Sequence, residues 1–216
     1  MNADEVAAYL DAHPDFLSEH GELFTRITVP HPHGGHAITL AERQLHALRE
    51  KIGQLEGKLA ELIRFGEEND EIGEKVHRLS LALLESDTYV VLRDALVQSL
   101  VEDFSVPYVA IRIWNVPLSH DEDEFLPVSE ALRFQAGDMR HPYCGTPGHI
   151  EVLGWLGEVA PHVRSVALIP LRRDAQVFGL LALASEDAER FYPEMGTLYL
   201  TRIGDLTASA LRRELG

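Results

Sequence analysis

The sequence is short of basic residues, and it has a single cysteine. Its 216 residues include 19 Lys and Arg against 35 Asp and Glu, which gives a formal net charge of −16. Nucleic-acid backbones and anionic membranes bind positively charged surfaces, so this balance argues against either as a direct partner. The lone cysteine, Cys144, excludes an internal disulfide and is typical of a reducing cytoplasm.

Long apolar runs and common enzyme signatures are also absent. No stretch approaches the roughly 20 apolar residues that cross a bilayer, and the acidic N-terminus has no apolar signal core. The sequence has no P-loop, no G-x-G-x-x-G after a strand, no H-E-x-x-H and no G-x-S-x-G. The acidic cluster at 121–124 lacks the spacing of a calcium loop, which favours a solvated turn. We therefore expect a cytoplasmic protein without catalytic activity.

Two apolar runs near the C-terminus organise the chain. They span residues 165–185 around the polar break Arg172-Arg173-Asp174, a pattern that predicts two buried strands joined as a hairpin. Gly179 lies inside the second run, where a missing side chain usually marks a bulge or a close backbone approach. An amphipathic helix from Glu194 to about Leu215 is predicted to follow.

A heptad pattern predicts a long helix from residue 39. Leucine and isoleucine alternate three and four residues apart, as in the seam of a coiled coil, and the seam is interrupted at Gly66 and Asn69 before it resumes in a shifted phase. A narrow seam buries best against a matching helix, so we predict a parallel homodimer; the alternative is one helix packed on its own domain. The predicted dimer interface comprises Leu45, Leu48, Ile52, Leu55, Leu59, Leu62, Val76, Leu79 and Leu83.

The segment before this helix predicts two short helices over 2–27 and a loop over 28–38. The loop contains three histidines: His31, His33 and His36. Imidazole suits zinc, copper or nickel, but no cysteine lies nearby and the prolines extend the chain. A polar loop is the alternative, so we assign no metal site.

Beyond the seam, residues 80–104 continue the helical pattern and residues 108–114 alternate as a strand. Arg112 and Trp114 share one face of that strand. A cation beside an aromatic is unusual on a face packed only against helices, so this face is a candidate to line a ligand pocket. The alternative is an edge-exposed Arg112 and a core Trp114.

A second candidate site is the run from His141 to Gly145. A thiol near an imidazole serves elsewhere as a nucleophile, a redox sensor or an attachment point for a tetrapyrrole. Here no Asn or Asp orients the imidazole, and Pro142 holds His141 extended, so a loop with a small buried thiol is the alternative. His141, Tyr143, Cys144 and Gly145 are candidate ligand-binding residues, and no residue is assigned as catalytic.

The N-terminal half carries a specific combination of motifs. They are Val6-x-x-Tyr-Leu-x-x-His-Pro-Asp-Phe16, Val29-Pro-His31, Gly34-Gly35, Leu40-x-Glu-Arg-Gln44 and Leu48-Arg49. Together they resemble a proteobacterial family, the domain-of-unknown-function 484 family, whose members look like a helical lead-in joined to a GAF-like domain. The hairpin, the Arg190-Phe-Tyr-Pro193 turn and the closing helix also resemble the C-terminal half of a GAF domain, a small-molecule-sensing module.

The resemblance implies an α+β fold, a GAF/PAS-like antiparallel sheet flanked by helices and preceded by a long coiled-coil helix. The corresponding parts are short helices and a loop over 1–38, the coiled coil over 39–80 and the GAF-like domain over 81–216. It further implies a pocket on the sheet face away from the helices, with 115–162 as its lid. No catalytic residue and no cofactor carry over.

Three functions are consistent with this sequence. The first is a dimeric small-molecule-sensing or signalling module that acts on a protein partner without catalysis. The second is a structural adaptor whose GAF pocket has collapsed. The third, a redox enzyme using Cys144 and similar to free-methionine-sulfoxide reductases, needs several cysteines. A pocket crowded with Leu, Phe and Trp favours the adaptor, whereas an open cavity with converging Arg, His and backbone N–H groups favours the sensor.

Overall fold

The computed structural model describes residues 2–29, 38–116, 122–148, 150–174 and 176–215. The chain divides into two compact units, Met1–Glu67 and Glu68–Gly216. Their boundary lies inside the longest helix, whereas the sequence placed the ends of the coiled-coil segment at 39 and 80.

The first unit contains short helices, a small hairpin and the beginning of the long helix. Its elements are α1 (Ala3–Ala12), α2 (Phe16–Glu19), α3 (Glu22–Arg26), β1 (Thr28–Val29), β2 (Ile38–Thr39) and α4 (Leu40–Glu85), which continues into the second unit. Asn2 and Glu5 form a capping box at the start of α1. The sequence predicted two helices where the structure has three, because the chain turns again at Gly21. The three histidines of the predicted loop lie outside the described residues.

The second unit is built on a four-stranded antiparallel sheet with the strand order β3-β6-β5-β4. The strands are β3 (Tyr108–Ile113), β4 (Tyr143–Gly145), β5 (Ser165–Arg173) and β6 (Gln176–Ser185), and the helices are α5 (Tyr89–Glu102), α6 (Glu130–Asp138), α7 (Ile150–Gly154) and α8 (Leu198–Leu215). Two 3-10 turns complete the unit, at Asp123–Phe125 and Gly157–His162. An antiparallel sheet flanked by helices and preceded by a long helix confirms the predicted α+β fold class.

The β5–β6 hairpin forms as its two apolar runs predict. Its strands pair from Ser165 with Ser185 to Arg173 with Gln176. Asp174 begins the turn with a φ of 56°, a left-handed conformation that Asp tolerates better than most residues. Gly179 marks a close backbone approach, because a Cβ at this position would lie 2.9 Å from the carbonyl oxygen of Arg112.

Successive strand residues point to opposite sides, so the sheet separates two apolar cores. One core lies on the helix face, between the sheet and the helices α4, α5 and α8; Leu79, Leu96, Ile169 and Leu211 belong to it. The other core lies on the opposite side, here called the far face. It combines strand residues with side chains from α6, α7 and their connections.

The structure corrects several predicted boundaries. The helical pattern over 80–104 is not continuous, because α4 ends at Glu85 and the hydroxyl of Thr88 accepts a hydrogen bond from Val91 N–H to begin α5. The last helix begins at Leu198 rather than Glu194. The helix α7 ends at Gly154, and a 3-10 turn follows at Gly157–His162.

The sequence interpretation lacked the short strands β1 and β2 at the ends of the predicted loop over 28–38, and it also lacked two elements of the second unit. The helix α6 begins at Ser129, whose hydroxyl accepts a hydrogen bond from Leu132 N–H. The strand β4 forms from residues 143–145, which were interpreted as part of a loop. It pairs with β5, and Tyr143 lies opposite Leu168. Both elements are short, so neither has room for a clear periodic pattern.

Candidate functional site

A cavity of about 190 Å³ lies where β3, α5 and the 3-10 turn at Asp123–Phe125 meet. We call it the edge cavity, because β3 is the terminal strand of the sheet. Its lining comprises Tyr89, Leu92, Arg93, Leu96 and Val97 of α5, Val109 to Arg112 of β3, Asp123, Glu124, Trp155, Leu181 and Leu211. The cavity therefore joins the sheet edge to the helix bundle.

The backbone of β3 presents polar groups to this cavity. The backbone N–H of Trp114 donates a hydrogen bond to the carbonyl of Phe178 at 2.7 Å, so the peptide N–H of Trp114 points toward β6. Peptide groups alternate in direction along a strand, which turns those of Ile111 and Val109 away from β6. The carbonyl of Ile111 accepts a hydrogen bond from Arg112 Nη1 at 3.0 Å, in agreement with this direction.

Arg112 is the predicted site residue that lines the cavity. Its guanidinium carbon lies 5.1 Å from the centroid of the Trp155 ring, within the range of a cation–π contact. Burial lowers the pKa of Arg112, while Asp123 and Glu124 act in the opposite direction. An arginine remains protonated throughout the physiological range, so the cavity contains a charged guanidinium with several N–H donors.

A second arginine and two carboxylates also line the cavity. Arg93 Nη1 lies 3.6 Å from Glu124 Oε1, and the same arginine also binds the carboxylate of Asp94 at 2.8 Å. Glu124 and Asp123 belong to the 3-10 turn that packs along β3. Burial raises the pKa of Tyr89, and the charge of Glu124 adds to this effect. The lining thus combines two guanidiniums, two carboxylates and an aromatic wall.

The lining is rich in charged side chains. Its described residues include no Cys, Ser, Thr, His or Lys, and its groups that can exchange protons or act as nucleophiles are the carboxylates of Asp123 and Glu124 and the phenol of Tyr89. Guanidiniums, carboxylates and edge-strand peptide groups also form oriented hydrogen bonds to a polar ligand. The arrangement therefore supports recognition of a small charged molecule.

Trp114 does not share this cavity, although it lies on the same strand face as Arg112. It is 5% exposed, belongs to the far-face core and donates its Nε1–H to the carbonyl of Val177 at 3.0 Å. The predicted pair therefore separates into a residue at the sheet edge and a residue of the core. This is the alternative that the sequence left open for Trp114.

Among the described residues, the far face is filled by side chains where the family resemblance implied an open pocket. Apolar side chains fill it from both the strands and the covering elements; they include Trp114, Val128, Leu132, Ala136, Val152, Leu168 and Leu180, all buried. The segment 122–162 packs onto the sheet instead of standing above a pocket. The edge cavity lies instead at the free side of β3.

The residues from His141 to Gly145 do not converge on one site. His141 is exposed before β4, whereas Tyr143 and Cys144 point to opposite faces of the sheet. The Tyr143 hydroxyl donates to the carbonyl of Thr146 at 2.9 Å. Gly145 has a φ of 152°, and a Cβ there would lie 2.8 Å from that hydroxyl, so its role is conformational.

Cys144 has the environment of a structural thiol. It is free, buried in the helix-face core, and its pKa is raised by that burial. The thiolate is the reactive form of cysteine, so a raised pKa leaves less of it near neutral pH. The structure gives this residue no feature of a redox centre.

The predicted dimer residues fall into two groups along α4. The first six form a solvent-exposed row, here called the α4 stripe, and they are between 49% and 66% exposed. The α4 stripe consists of Leu45, Leu48, Ile52, Leu55, Leu59 and Leu62. The other three, Val76, Leu79 and Leu83, are at most 9% exposed and belong to the helix-face core of this same chain. They are unavailable to a second copy, which corrects their assignment to the interface.

Most residues of the edge cavity have no distinguishing pattern in the sequence. Arg93 resembles a solvated helix residue, and Asp123 and Glu124 lie in the acidic cluster that was predicted to be a solvated turn. Trp155 follows α7 and carries no motif. Only Arg112 gave a signal, because its charge interrupts an apolar strand.

Two further properties concern the described ranges alone. No helix in them is long and apolar enough to cross a membrane. No cluster of three or more His, Cys, Asp or Glu side chains within them is arranged as a metal site.

Two comparisons with known sequences match almost the whole chain. The family model described as "Protein of unknown function, DUF484" matches residues 1–214. The uncharacterized protein YigA of Salmonella typhimurium strain LT2 is 25% identical over 221 residues, which cover 96% of this chain and 90% of YigA.

Two similar solved structures are GAF domains. The first is the GAF domain of the potassium sensor histidine kinase KdpD from Escherichia coli, with a TM-score of 0.42 and 16% identity, covering 65% of this chain and 93% of that one. The second is the nlh2 GAF domain of A. aeolicus in an inactive state, with a TM-score of 0.49 and 13% identity, covering 67% of this chain and 98% of that one.

Proposed function

The chain belongs to the DUF484 family, and on that premise we propose that it is a cytoplasmic, dimeric GAF-like module that senses a small polar molecule and signals to a protein partner without catalysis. The edge cavity is the sensing site in this proposal. The α4 stripe is the dimer contact.

The observation that carries the sensing role is the position of the edge cavity. Its walls come from the sheet edge at Arg112, from α5 at Leu92 and Leu96, and from α8 at Leu211. A molecule in the cavity therefore touches the sheet and two helices of the bundle at once. Such a molecule shifts the packing of those helices if it binds one arrangement more tightly than another.

The dimer is supported by the exposed row on α4. Six apolar residues alternate three and four positions apart over 45–62 and are about half exposed in the single chain. A row of this spacing matches the knobs-into-holes packing of a parallel two-stranded coiled coil. In the proposed dimer, a second copy of the chain in register packs against this row.

The absence of catalysis in this proposal is supported by the contents of the edge cavity and by Cys144. The cavity lining offers donors and acceptors for binding, and its described residues include no Cys, Ser, Thr, His or Lys. The thiol of Cys144 is buried, and its pKa is raised.

A second candidate function is a structural adaptor, and the filled far face favours it. Trp114, Leu168 and Leu180 occupy the side of the sheet where the family resemblance implied a pocket. In an adaptor the edge cavity is only a packing defect, and the dimer presents its surface to a protein partner. The two functions differ in whether the edge cavity binds a ligand.

Native mass spectrometry of protein purified gently from its own host distinguishes them, with the denatured mass as reference. The sensor predicts a dimer with a retained small molecule, and the variant Val97→Phe, which narrows the edge cavity, loses that molecule. Val101→Phe is the matched control, because Val101 lies one turn further along α5 and outside the cavity lining. A dimer without added mass in all three proteins supports the adaptor, and a monomer contradicts the proposed dimer.

A further inference from the structure

We propose that the edge cavity binds a small zwitterion of the α-amino-acid class, with the ligand carboxylate on Arg112 and its ammonium group on Asp123 and Glu124. This inference rests on the proposed function, since it names the ligand class for the same cavity.

The charges of the lining select for a ligand with no net charge. Arg93 and Arg112 contribute two positive charges, and Asp123 and Glu124 contribute two negative ones, so the lining sums to zero. A phosphate or a dicarboxylate in this confined space is repelled by the carboxylates of Asp123 and Glu124. A polyamine is likewise repelled by the guanidiniums of Arg93 and Arg112. A ligand that carries one charge of each sign matches both halves of the site.

Arg112 is the anion-binding residue of this site. Among the described residues no carboxylate lies within ion-pair distance of its guanidinium, and its one hydrogen bond goes to the carbonyl of Ile111. The guanidinium carbon lies 5.1 Å from the centroid of the Trp155 ring, a contact that leaves its further N–H donors available. A planar fork of donors pairs with a carboxylate through two parallel hydrogen bonds.

Arg93 is already compensated, and this distinguishes the two arginines. It binds Asp94 at 2.8 Å and lies 3.6 Å from Glu124. Arg93 therefore positions Glu124 rather than receiving the ligand carboxylate. Asp123 is exposed at the mouth of the cavity and has no such arginine partner among the described ion pairs. The two carboxylates of the 3-10 turn provide acceptors for an ammonium group.

The edge of β3 adds the directional contacts that an amino acid needs. The peptide groups of Val109 and Ile111 point away from β6 at the cavity, as established above from the contacts of Trp114 and Arg112. The Ile111 carbonyl already accepts a hydrogen bond from Arg112. The other edge groups bind main-chain donors and acceptors of a ligand in the manner of an added strand. The α-ammonium and α-carboxylate of a free amino acid supply such groups on one carbon.

The size of the cavity limits the ligand. Its volume of about 190 Å³ is below the roughly 300 Å³ at which drug-sized ligand pockets begin. Leu92, Leu96 and Leu181 form its apolar wall, which suits a short aliphatic side chain. A nucleotide or a tetrapyrrole exceeds this space.

The test is isothermal titration calorimetry of the full chain with L-valine and two matched analogues. N-acetyl-L-valine keeps the carboxylate and lacks the ammonium charge, and L-valinamide keeps the ammonium and lacks the carboxylate. We expect L-valine to bind and each analogue to bind at least about tenfold more weakly, because a hydrogen bond to a charged group contributes about 1.5–3 kcal/mol and about 1.4 kcal/mol corresponds to tenfold. Glycine, L-alanine and L-leucine are measured in parallel to locate the preferred side chain.

Two variants assign the contacts. Arg112→Met keeps a long side chain beside Trp155 and removes the guanidinium, and we expect it to lose L-valine binding at least tenfold. Asp123→Asn changes an exposed turn residue and is expected to weaken L-valine while leaving N-acetyl-L-valine unchanged. Arg140→Met is the control, since Arg140 is exposed and outside the cavity lining. Circular dichroism of each variant verifies that it is folded.

Three results overturn this inference. They are an absence of binding for all four amino acids, equal affinity for L-valine and either analogue, or unchanged L-valine affinity in both Arg112→Met and Asp123→Asn. If native mass spectrometry still retains another molecule that Val97→Phe loses, the sensing role stands and only the ligand class is wrong. If nothing is retained in any experiment, both proposals fail.

Discussion

Replacement of Leu55 by aspartate tests the α4 stripe directly. Leu55 is 54% exposed in the single chain, and complete burial of a leucine contributes about 1.5–3 kcal/mol. Burial of its exposed half in a dimer therefore contributes about 1 kcal/mol from each chain. Leu55→Asp in both chains removes about 2 kcal/mol of this burial energy from the dimer. It also places two carboxylates in the apolar seam, each of which costs about 1–3 kcal/mol. The dimer weakens by at least about 4 kcal/mol, a factor of about a thousand in Kd.

Sedimentation velocity over a range of protein concentrations measures this change. We expect a dimer for the unmodified chain and a monomer for Leu55→Asp at the same micromolar concentration. The matched control is Gln54→Asp, which adds the same charge and a similar helix-propensity cost at a position outside the stripe. A dimer that persists in Leu55→Asp, or that dissociates equally in Gln54→Asp, refutes the stripe as the contact.

The remaining predictions concern the second unit and its single thiol. Leu79→Ala is expected to destabilise the folded chain by about 3 kcal/mol in chemical denaturation, because a fully buried leucine leaves a cavity; a loss below about 1 kcal/mol contradicts its place in the core. Gly179→Ala is expected to cost about 2 kcal/mol by steric overlap with the Arg112 carbonyl, whereas Gly57→Ala, which meets nothing within 4 Å in α4, gains about 1 kcal/mol of helix propensity. Equal effects of the two glycine substitutions refute the close approach. Cys144 is expected to react with iodoacetamide more slowly than free cysteine at pH 8, because burial raises the pKa of its thiol. The thiol keeps its proton more tightly in the folded state than in the unfolded state. Its contribution to stability is therefore complete below the unfolded pKa and is lost as pH rises through the folded pKa. If the folded protein is labelled as fast as the denatured protein, Cys144 is not buried.

The elements that the sequence predicted well depend on patterns within a few neighbouring residues. The hairpin over 165–185 follows from two apolar runs around a polar break, and the long helix follows from leucines three and four apart. Gly179 was correctly associated with a close backbone approach, because a glycine inside an apolar strand usually marks a position with no room for a side chain. The break at 86–88 was missed, although Ser86, Asp87 and Thr88 are all residues that favour helix caps.

The edge cavity could not be predicted in this way. Its charged residues, Arg93, Arg112, Asp123 and Glu124, come from a helix, a strand and a turn that are separated along the chain. Each has an ordinary local explanation, and their convergence depends on how α5 and the 3-10 turn pack along β3. The candidates from His141 to Gly145 failed for the opposite reason. They are adjacent in sequence, but a strand directs neighbouring side chains to opposite faces.

The amino-acid sequence by itself determined the secondary structure of the hairpin and the long helix, the family membership and the apolar row on α4, because these depend on local periodicity and motif order. Only the tertiary structure decided which leucines remain exposed. Leu59 and Leu79 look equivalent in the heptad pattern, yet Leu59 is 58% exposed and Leu79 is fully buried. The difference arises because the sheet and α8 cover the later part of α4. The residues adjacent in sequence do not specify which distant elements pack against a given side chain.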